Sequence, residues 1–432
     1  MPRVLVVSYY FPPSGGPGVQ RVLKFVKYLP AFGWWPTVLT VDPAHASYPD
    51  LDPTLGAEVP PDVDVVRTRS WDPYALYARM QGKPKEATVG VGFIKDEEAG
   101  RAQRLARWLR ANVFVPDARL GWVPFAVHAA HTRLRRERFD VLLTTGPPHS
   151  THLAGWLLHR RHGIPWVVDM RDPWTDISYY LDLPRTALVH RLESAMERAV
   201  LGAADAVLSV SDGVGRLLAS KADVRRYETI PNGFDPADLP AGPAPAPDPS
   251  RFVMAHVGTL TAVQHAPGLV EALRRRAAAD PAWRARLRLR FVGHVDAAVV
   301  AAFREAGFGD ALELVPYVPH PEALREMQRA DVLLVFVQRV EHNEGVTPAK
   351  MFEYLALGRP LLALAPPDGD LAAILRTTGG GAAFDHADAD GIAAFLAHHA
   401  VPPPDPGALR AYDRRVLTER LAGVLGAVAR AS

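Results

Sequence analysis

The 432-residue sequence alternates between short apolar runs and longer segments with helical spacing. A strand that is apolar on both faces must be covered on both, so this alternation predicts parallel sheets joined by crossover helices. Nine strands are predicted in this way: Val4–Ser8, Thr37–Val41, Val141–Thr145, Trp166–Asp169, Ala206–Val210, Phe252–Val257, Leu287–Val292, Val332–Phe336 and Leu361–Leu364.

A helix is predicted directly after the first strand and its loop. Apolar residues recur there on one helical face, and Gly33 is a suitable residue to end the helix. The apolar residues of this face are Val19, Val22, Leu23, Val26 and Leu29.

The length of the chain predicts two domains, at about 150–200 residues per domain. The segment 239–250 (LPAGPAPAPDPS) reads as a stiff linker because of its prolines. We therefore expect a first domain at 1–240 and a second at 251–402. Prolines at 402–406 precede an expected helix at 407–431, for which packing back on the first domain is left open.

Composition excludes several classes of protein. The formal net charge is only +2, so a nucleic-acid partner is not expected. The absence of cysteine excludes disulfides and thiolate chemistry. No apolar stretch approaches the roughly 18 residues of a membrane span. The first residues lack the longer apolar region of a signal peptide, and a cytoplasmic location is expected.

Residues 101–138 are rich in arginine, with only Asp117 and Glu137 as acidic residues. Leu105, Trp108, Leu109 and Val113 share one helical face there. Two explanations stay open: a solvated helix face, or peripheral attachment to an anionic surface such as the inner face of a membrane.

Residues 344–364 (EGVTPAKMFEYLALGRPLLAL) predict a short helix, because they contain residues typical of a helix start and of a helix end. Thr347 is a good N-cap, Pro348 suits the first helical position, and Gly358 suits the position past the end. Lys350 and Glu353 are three residues apart and therefore neighbours on one face.

This pattern suits a nucleoside diphosphate. Free amides at a helix start and the charge of Lys350 would attract phosphate, and Glu353 could accept hydrogen bonds from both ribose hydroxyls. The alternative is a local Lys–Glu pair worth a few tenths of a kcal/mol.

The segment resembles the donor-site signature of the group 1 glycosyltransferases (glycosyltransferase family 4), especially of members that read K-x-F-E-Y-L-A. Four other stretches match in order: YYFPPSGGPGVQRVLKFVKYLPAFGW (9–34), IPWVVDMRDPWTD (164–176), IPNGFD (230–235) and HVGTL (256–260).

The resemblance implies the GT-B architecture, an α/β fold of two doubly wound Rossmann-like domains facing across a cleft. It also implies a retaining transferase for a nucleoside-diphosphate sugar, with a glycan or lipid-linked acceptor and no metal or other cofactor. Glu353 would bind the ribose hydroxyls. Gly15 and Gly16 would bring backbone amides close to the diphosphate.

The donor site departs from the family at several positions. Gly345 stands where many members have a sugar-side glutamate, although Glu344 is adjacent and Val346 also lies in this loop. Thr259 and Gln264 stand where many members have the arginine and lysine that grip the diphosphate. Lys350 is the expected compensation, with Arg21 or Arg339 as further candidates. Tyr317 is either a stacking residue for the nucleobase or a core aromatic.

The acceptor side is expected after the strands of the first domain. The resemblance places Arg171 or Asp172 near the transferred sugar, and a local salt bridge is the competing account. His149 and Ser150 are candidate acceptor contacts, with helix capping as the alternative for Ser150. Most other histidines are expected to be surface or satisfied core residues, His256 being an exception to watch because it flanks the first loop of the donor domain.

Two other functions stay open at this point. A nucleotide-sugar 2-epimerase can share the architecture. A non-catalytic paralogue that binds nucleotide sugars would fit the changes at Thr259, Gln264 and Gly345.

Overall fold

The computed structural model describes residues 1–48, 50–71, 108–109, 111–177, 183–242, 245–246, 248–397 and 402–431. The chain folds into two compact units. The first is Met1–Pro231 with Leu417–Ser432, and the second is Asn232–Val416.

The first unit is built on a parallel sheet with the strand order β3-β2-β1-β4-β5-β6-β7. The strands are β1 (Arg3–Val7), β2 (Trp35–Val41), β3 (Asp64–Thr68), β4 (Val141–Gly146), β5 (Trp166–Met170), β6 (Ala206–Ser209) and β7 (Tyr227–Thr229). The helices are α1 (Pro17–Tyr28), α2 (Val123–Leu134), α3 (Ser150–His162), α4 (Ala187–Ala203) and α5 (Asp212–Ala219).

The second unit has its own parallel sheet with the order β10-β9-β8-β11-β12-β13. The strands are β8 (Phe252–Val257), β9 (Leu287–Val292), β10 (Leu312–Val315), β11 (Val332–Phe336), β12 (Leu361–Leu364) and β13 (Gly381–Phe384). The helices are α6 (Pro267–Ala279), α7 (Pro281–Arg286), α8 (Ala297–Phe303), α9 (His320–Gln328), α10 (Lys350–Ala356), α11 (Asp370–Thr378), α12 (Ala389–Ala397) and α13 (Pro406–Leu409).

Each sheet separates two apolar layers. In β1, Val4 and Val6 enter one buried cluster, whereas Leu5 and Val7 enter the other. This alternation is the two-residue period of a strand covered on both faces. The final helix, α14 (Arg414–Ala431), adds Leu421 and its apolar neighbours to the cluster that contains Val4.

The nine predicted strands are confirmed, and so is the α/β fold class. Four further strands, β3, β7, β10 and β13, are not among the nine that the sequence predicts. They lie at the edges of the two sheets. Their residues are half-buried or exposed, so their sequences lack the continuous apolar run that marks a central strand.

The first helix is also confirmed. Val19, Val22, Leu23 and Val26 are at most 1% exposed in α1. A 3₁₀ turn, Leu29–Phe32, then ends at Gly33, which has the left-handed conformation (φ 78°) expected of a helix-ending glycine.

The division between the units falls at Pro231, before the proline-rich segment. Ile230 packs in a core cluster of the first unit and Phe234 in one of the second. The division between the units therefore lies between two residues that pack in different cores. The proline-rich segment 239–250 belongs to the second unit.

Among the described residues, no helix is both long enough and apolar enough to cross a membrane. Four of the nine arginines in residues 101–138, at positions 101, 104, 107 and 110, lie outside the described residues. The predicted membrane contact through residues 101–138 stays a prediction.

Gly155 offers a test of the packing between α3 and the sheet. A Cβ at this position would lie 2.5 Å from Thr144 Cγ2 and 2.7 Å from Trp166 Nε1. We expect Gly155→Ala to lower the free energy of unfolding by about 1–3 kcal/mol, because the core has no room for the methyl group. Urea denaturation followed by far-UV circular dichroism would measure the change.

Gly423 in α14 is the matched control. A Cβ there has nothing within 4 Å, so Gly423→Ala should stabilise the helix by about 0.4–1 kcal/mol. Equal effects of the two substitutions would contradict the packing at Gly155.

Candidate functional site

The loops after β8 and β9 approach each other at the carboxyl edge of the second sheet. Gly258 and Gly293 have φ angles of 122° and 115°, a region that other residues rarely adopt. A Cβ on Gly293 would lie 2.7 Å from the carbonyl oxygen of Gly258. Strand order reverses between β8 and β11, and ligands of open α/β sheets bind at such a reversal.

Lys350, at the start of α10, lies against the Gly258 turn. Its Nζ is 3.2 Å from His256 Nε2, and a Cβ on Gly258 would lie only 2.5 Å from Nζ. Burial lowers the pKa of Lys350 to about 8, an effect that the charge of Glu353 partly offsets. Lys350 is the cation that the structure places at this loop, as the sequence pattern predicts.

His256 was missed as a partner of Lys350, although its place beside the first loop marked it as an exception. Its Nδ1 lies 2.9 Å from the carbonyl oxygen of Leu334 in β11, which can only accept a hydrogen bond. This contact is shorter than the 3.3 Å between Nε2 and the carbonyl oxygen of Thr259, so it favours the tautomer with the proton on Nδ1. In that tautomer Nε2 can accept a hydrogen bond from Lys350. Burial, and then the charge of Lys350, lowers the pKa of His256 to about 3.

Glu353 lies one turn further along α10 and contacts a second histidine. His320 Nε2 is 2.8 Å from Glu353 Oε1, and both side chains are less than one-fifth exposed (16% and 19%). His320 opens α9, 33 residues before Glu353, so no local sequence pattern joins the two. Among the described residues, Oε2 of Glu353 has no protein donor in hydrogen-bonding range, which leaves this oxygen for a ligand.

Tyr317, which follows β10, stacks on His294, which follows β9. Their ring centroids are 6.3 Å apart with an interplanar angle of 17°. Tyr317 is 38% exposed, so the explanation of this residue as a core aromatic is wrong.

The predicted N-cap of α10 is wrong. The helix begins at Lys350, with Ala349 already in a helical conformation. The amides of Met351 and Phe352 donate to the carbonyls of Pro348 and Ala349, so a tight turn supplies their partners. Thr347 Oγ1 is buried and has no partner among the described residues.

Both polar atoms of the buried Gln264 side chain bind groups of the protein. Its Oε1 accepts from the backbone and hydroxyl of Thr261, and its Nε2 donates to the carbonyl of Phe336 at 2.8 Å. Gln264 thus closes a turn and ties it to β11, which corrects its predicted contact with the donor. Of the other predicted donor residues, Gly345 is buried, whereas Thr259 and Val346 are exposed, as are Glu344 and Arg339.

The predicted glycine loop of the first unit follows β1. Gly16 has a φ of 93° and directly precedes α1, a conformation for which glycine is the suitable residue. The amide of Gly15 donates to the carbonyl of Asp50 at 2.9 Å. Gly16 is therefore the better candidate for a backbone contact with a ligand.

Arg171 is a structural residue in this loop region. Nε and Nη2 donate to the carbonyls of Gly146 and Pro147, at 2.9 and 2.7 Å, and Nη1 donates to that of Gly18 at 2.5 Å. It is 9% exposed. The prediction of Arg171 as a catalytic group is corrected, because its guanidinium ties the loop after β4 to the first turn of α1.

Arg21 is also structural. Its Nε and Nη2 bind both carboxylate oxygens of Asp169, and its Nη1 donates to the carbonyl of Pro231 at 2.9 Å. Burial alone would raise the pKa of Asp169, but the charge of Arg21 holds this pKa below its usual value. Arg21 is 0% exposed, so it cannot replace the phosphate clamp.

Asp172 differs from its neighbour Arg171. Burial raises the pKa of its carboxyl group, an effect that Arg171 partly offsets. Its side chain is half-buried, and none of the described residues donates a hydrogen bond to it. A carboxylate with these properties at the carboxyl edge of the sheet is suited to contact a substrate.

The predicted acceptor contacts lie in the interior. His149 and Ser150 are both 0% exposed. Asp117 binds the amide and the hydroxyl of Ser150, each at 2.8 Å, and thereby caps α3. His149 stacks on Trp174 with ring centroids 5.1 Å apart. Both side chains are buried, so the predicted contacts of His149 and Ser150 with a sugar acceptor are wrong for this arrangement.

The contrast between Arg171 and Asp172 is testable. We expect Arg171→Met to lower the free energy of unfolding by about 3 kcal/mol, because it leaves buried carbonyls without donors. Asp172→Asn should be at least as stable as the wild type at pH 7. The folded-state pKa of Asp172 is raised, so its charge costs stability above that pKa and Asn removes this cost. Urea denaturation at pH 7 would measure both; a stable Arg171→Met would contradict the structural role.

Comparisons with known proteins agree with this architecture. Residues 62–238 match the family model described as Glycosyltransferase Family 4. The fold is similar to a sucrose-phosphate synthase from Thermosynechococcus elongatus (TM-score 0.61, 16% identity, covering 100% of this chain and 97% of the other). It is also similar to Anabaena Alr3699/HepE, crystallised with UDP and glucose (TM-score 0.63, 12% identity, covering 99% and 100%).

A third similar structure is WaaG, a glycosyltransferase involved in lipopolysaccharide biosynthesis (TM-score 0.58, 13% identity, covering 98% of this chain and 99% of the other). A comparison with the curated proteins gave no match. The assignment to the K-x-F-E-Y-L-A subgroup stays a prediction. Residues 62–238 thus match the glycosyltransferase family 4 model, and the chain has the GT-B fold of these glycosyltransferase structures.

Proposed function

We propose that the chain is a retaining glycosyltransferase that moves a sugar from a nucleoside-diphosphate donor to an acceptor hydroxyl. The observation that carries the proposal is the pair Lys350 and Glu353 at the strand-order reversal of the second sheet. One supplies a cation beside a glycine turn, and the other a carboxylate with one oxygen left for a ligand.

Glu353 is proposed to bind the ribose. His320 donates to Oε1 and fixes the carboxylate, so Oε2 can accept from the vicinal hydroxyls. The exposed stack of Tyr317 and His294 offers a flat apolar face for the nucleobase.

Lys350 is proposed to bind the diphosphate. The Gly258 turn has no side chain to hold a phosphate away from Lys350 Nζ. The hydroxyl of Thr347, buried and without a partner among the described residues, is a further donor for this anion. The loop residues Gly345 and Val346 are proposed to line the sugar end, with Glu344 as the nearest carboxylate.

The nature of the donor is supported by similar structures. HepE has been crystallised with UDP, with UDP and glucose, and with UDP-glucose. A UDP-sugar is therefore the first donor to test. The role of WaaG in lipopolysaccharide biosynthesis supports a glycan or lipid-linked acceptor.

Catalysis is proposed to come from orientation and from stabilisation of the leaving diphosphate. Asp172 is the candidate catalytic carboxylate of the first unit, with Gly16 as the candidate backbone contact. The leaving phosphate is proposed to assist removal of the acceptor proton. No metal or other cofactor is proposed, and addition of EDTA should therefore leave the rate of sugar transfer unchanged.

A thermal-shift screen of nucleoside diphosphates and their sugars is the first experiment. A ligand that binds the folded protein raises its unfolding midpoint according to its concentration and Kd. Slow hydrolysis of the best donor, followed by product analysis, then separates the alternatives. A 2-epimer as the product would replace the proposed function by epimerisation, and binding without any turnover would indicate a non-catalytic paralogue.

Glu353→Gln tests the ribose contact. We expect it to weaken binding of UDP by about tenfold to a hundredfold, because a charge-assisted hydrogen bond is worth about 1.5–3 kcal/mol. Titration calorimetry with UDP and with 2′,3′-dideoxy-UDP would measure the effect. The dideoxy nucleotide should bind both proteins equally weakly, and an unchanged affinity of the variant for UDP would exclude the ribose role.

Lys350→Ala tests the diphosphate contact. Its affinity for UDP should fall by at least tenfold, whereas that for uridine should change little, because only UDP carries the phosphates. The same calorimeter would give both constants. Equal losses for the two ligands would show that Lys350 has a structural role.

A further inference from the structure

We propose that Lys350 and His256 form a hydrogen-bonded couple, through which binding of a diphosphate is accompanied by uptake of a proton at those Lys350 side chains that are neutral amines. The inference rests on the proposed function, because it assigns the diphosphate to Lys350. It adds that diphosphate binding at this site depends on pH, and it assigns His256 a positioning role.

The first support is the unusual partner of Lys350. Its Nζ lies 3.2 Å from the Nε2 lone pair of His256. Among the described residues, no carboxylate forms an ion pair with Lys350. A lysine that is desolvated without such a partner loses its proton more easily than one in water.

The second support is the tautomer of His256 that the shorter of its two backbone contacts favours. Nδ1 lies 2.9 Å from the carbonyl of Leu334 and Nε2 lies 3.3 Å from that of Thr259, and the imidazole is 1% exposed. With the proton on Nδ1, Nε2 is an acceptor only. Both the ammonium and the neutral amine of Lys350 can donate to this lone pair, so loss of a proton does not release the side chain from the Gly258 turn.

The charged and titratable groups around Lys350 favour an amine whose protonation state can change when an anion binds. From β8 it faces the neutral His256, and on its own helix it is influenced by Glu353. Glu353 is itself bonded to His320 from α9. Tyr354, the next residue after Glu353 on α10, stays protonated, because burial raises the pKa of its hydroxyl.

A diphosphate would complete this arrangement. With a pKa of about 8, close to half of the Lys350 side chains are neutral amines at pH 8. An anion at Nζ stabilises the ammonium and raises its pKa, so the neutral half must take up a proton from the buffer as the anion binds. The balance is R–NH2 plus H⁺ to R–NH3⁺, without any covalent change in the ligand.

Titration calorimetry measures the proton directly. UDP would be titrated at pH 8.0 in HEPES and in Tris, and at pH 7.0 in two other buffers of different ionisation enthalpy. Inorganic pyrophosphate serves as an affinity probe without a base, because this anion itself carries a proton at pH 8.0. We expect an uptake of about 0.5 proton per UDP at pH 8.0, where the terminal phosphate of UDP is already ionised, and a clearly smaller uptake at pH 7.0. Affinity should fall above pH 8, by up to about tenfold per pH unit.

Lys350→Arg is the matched control, because a guanidinium does not lose its proton. It should keep measurable affinity for UDP while its proton uptake at pH 8.0 falls to zero. Uptake that persists in this variant, or UDP binding without uptake in the wild type, would overturn the couple and leave the proposed function intact. A protein that binds neither UDP nor pyrophosphate would overturn both.

His256→Phe tests the positioning role. Without the Nε2 acceptor, the ammonium loses a hydrogen bond, and the fall in UDP affinity should begin about one pH unit lower than in the wild type. A fall that begins at the wild-type pH would show that His256 has only a structural role. If His256→Phe does not fold, Lys350→Arg alone decides the proposal.

Discussion

One constraint places the candidate functional side chains of both units: each parallel sheet reverses its strand order beside its first strand. In the first unit the reversal lies between β1 and β4, and in the second between β8 and β11. The crossover helices diverge at such a reversal, so loops at the carboxyl edge leave room for a ligand. The Gly16 and Gly258 loops, Asp172, and Lys350 with its helix all follow from this arrangement.

Burial then decides which cations can meet a ligand. Arg21 and Arg171 occupy the reversal of the first unit, but a carboxylate and backbone carbonyls occupy their donors. Such groups hold loops in place and cannot be spared for a substrate without leaving buried acceptors unsatisfied. Lys350 has only an imidazole lone pair to satisfy, so its charge stays available.

Local patterns in the sequence were enough to predict the central strands, the first helix and the pair Lys350–Glu353. Each of these depends on residues a few positions apart. Edge strands such as β3 were missed, because partial exposure removes the apolar run that marks a strand. The histidine partners of the pair were missed because they are 33 and 94 residues away from it.

The wrong predictions have the same origin. The position of Arg171 after a strand predicts a catalytic residue, yet its role is set by distant carbonyls, one in the first turn of α1 and the others at the end of β4 and just after it. Thr347 has the preferred residue type for a cap, but the tight turn at Pro348 already supplies the partners of the first amides. Tertiary interactions overrode a local preference in both cases.

The terminal helix carries a consequence for how the protein is made. Leu417, Leu421, Leu425 and Val428 complete an apolar cluster whose other members include Val4 and Val6. A ribosome therefore synthesises the second unit before it synthesises residues 417–428, which complete the core of the first unit. During synthesis, the second unit can finish folding while the first still exposes an apolar surface. Strand β1 and helix α14, which are separated by about 410 residues of chain, are both needed to cover this surface.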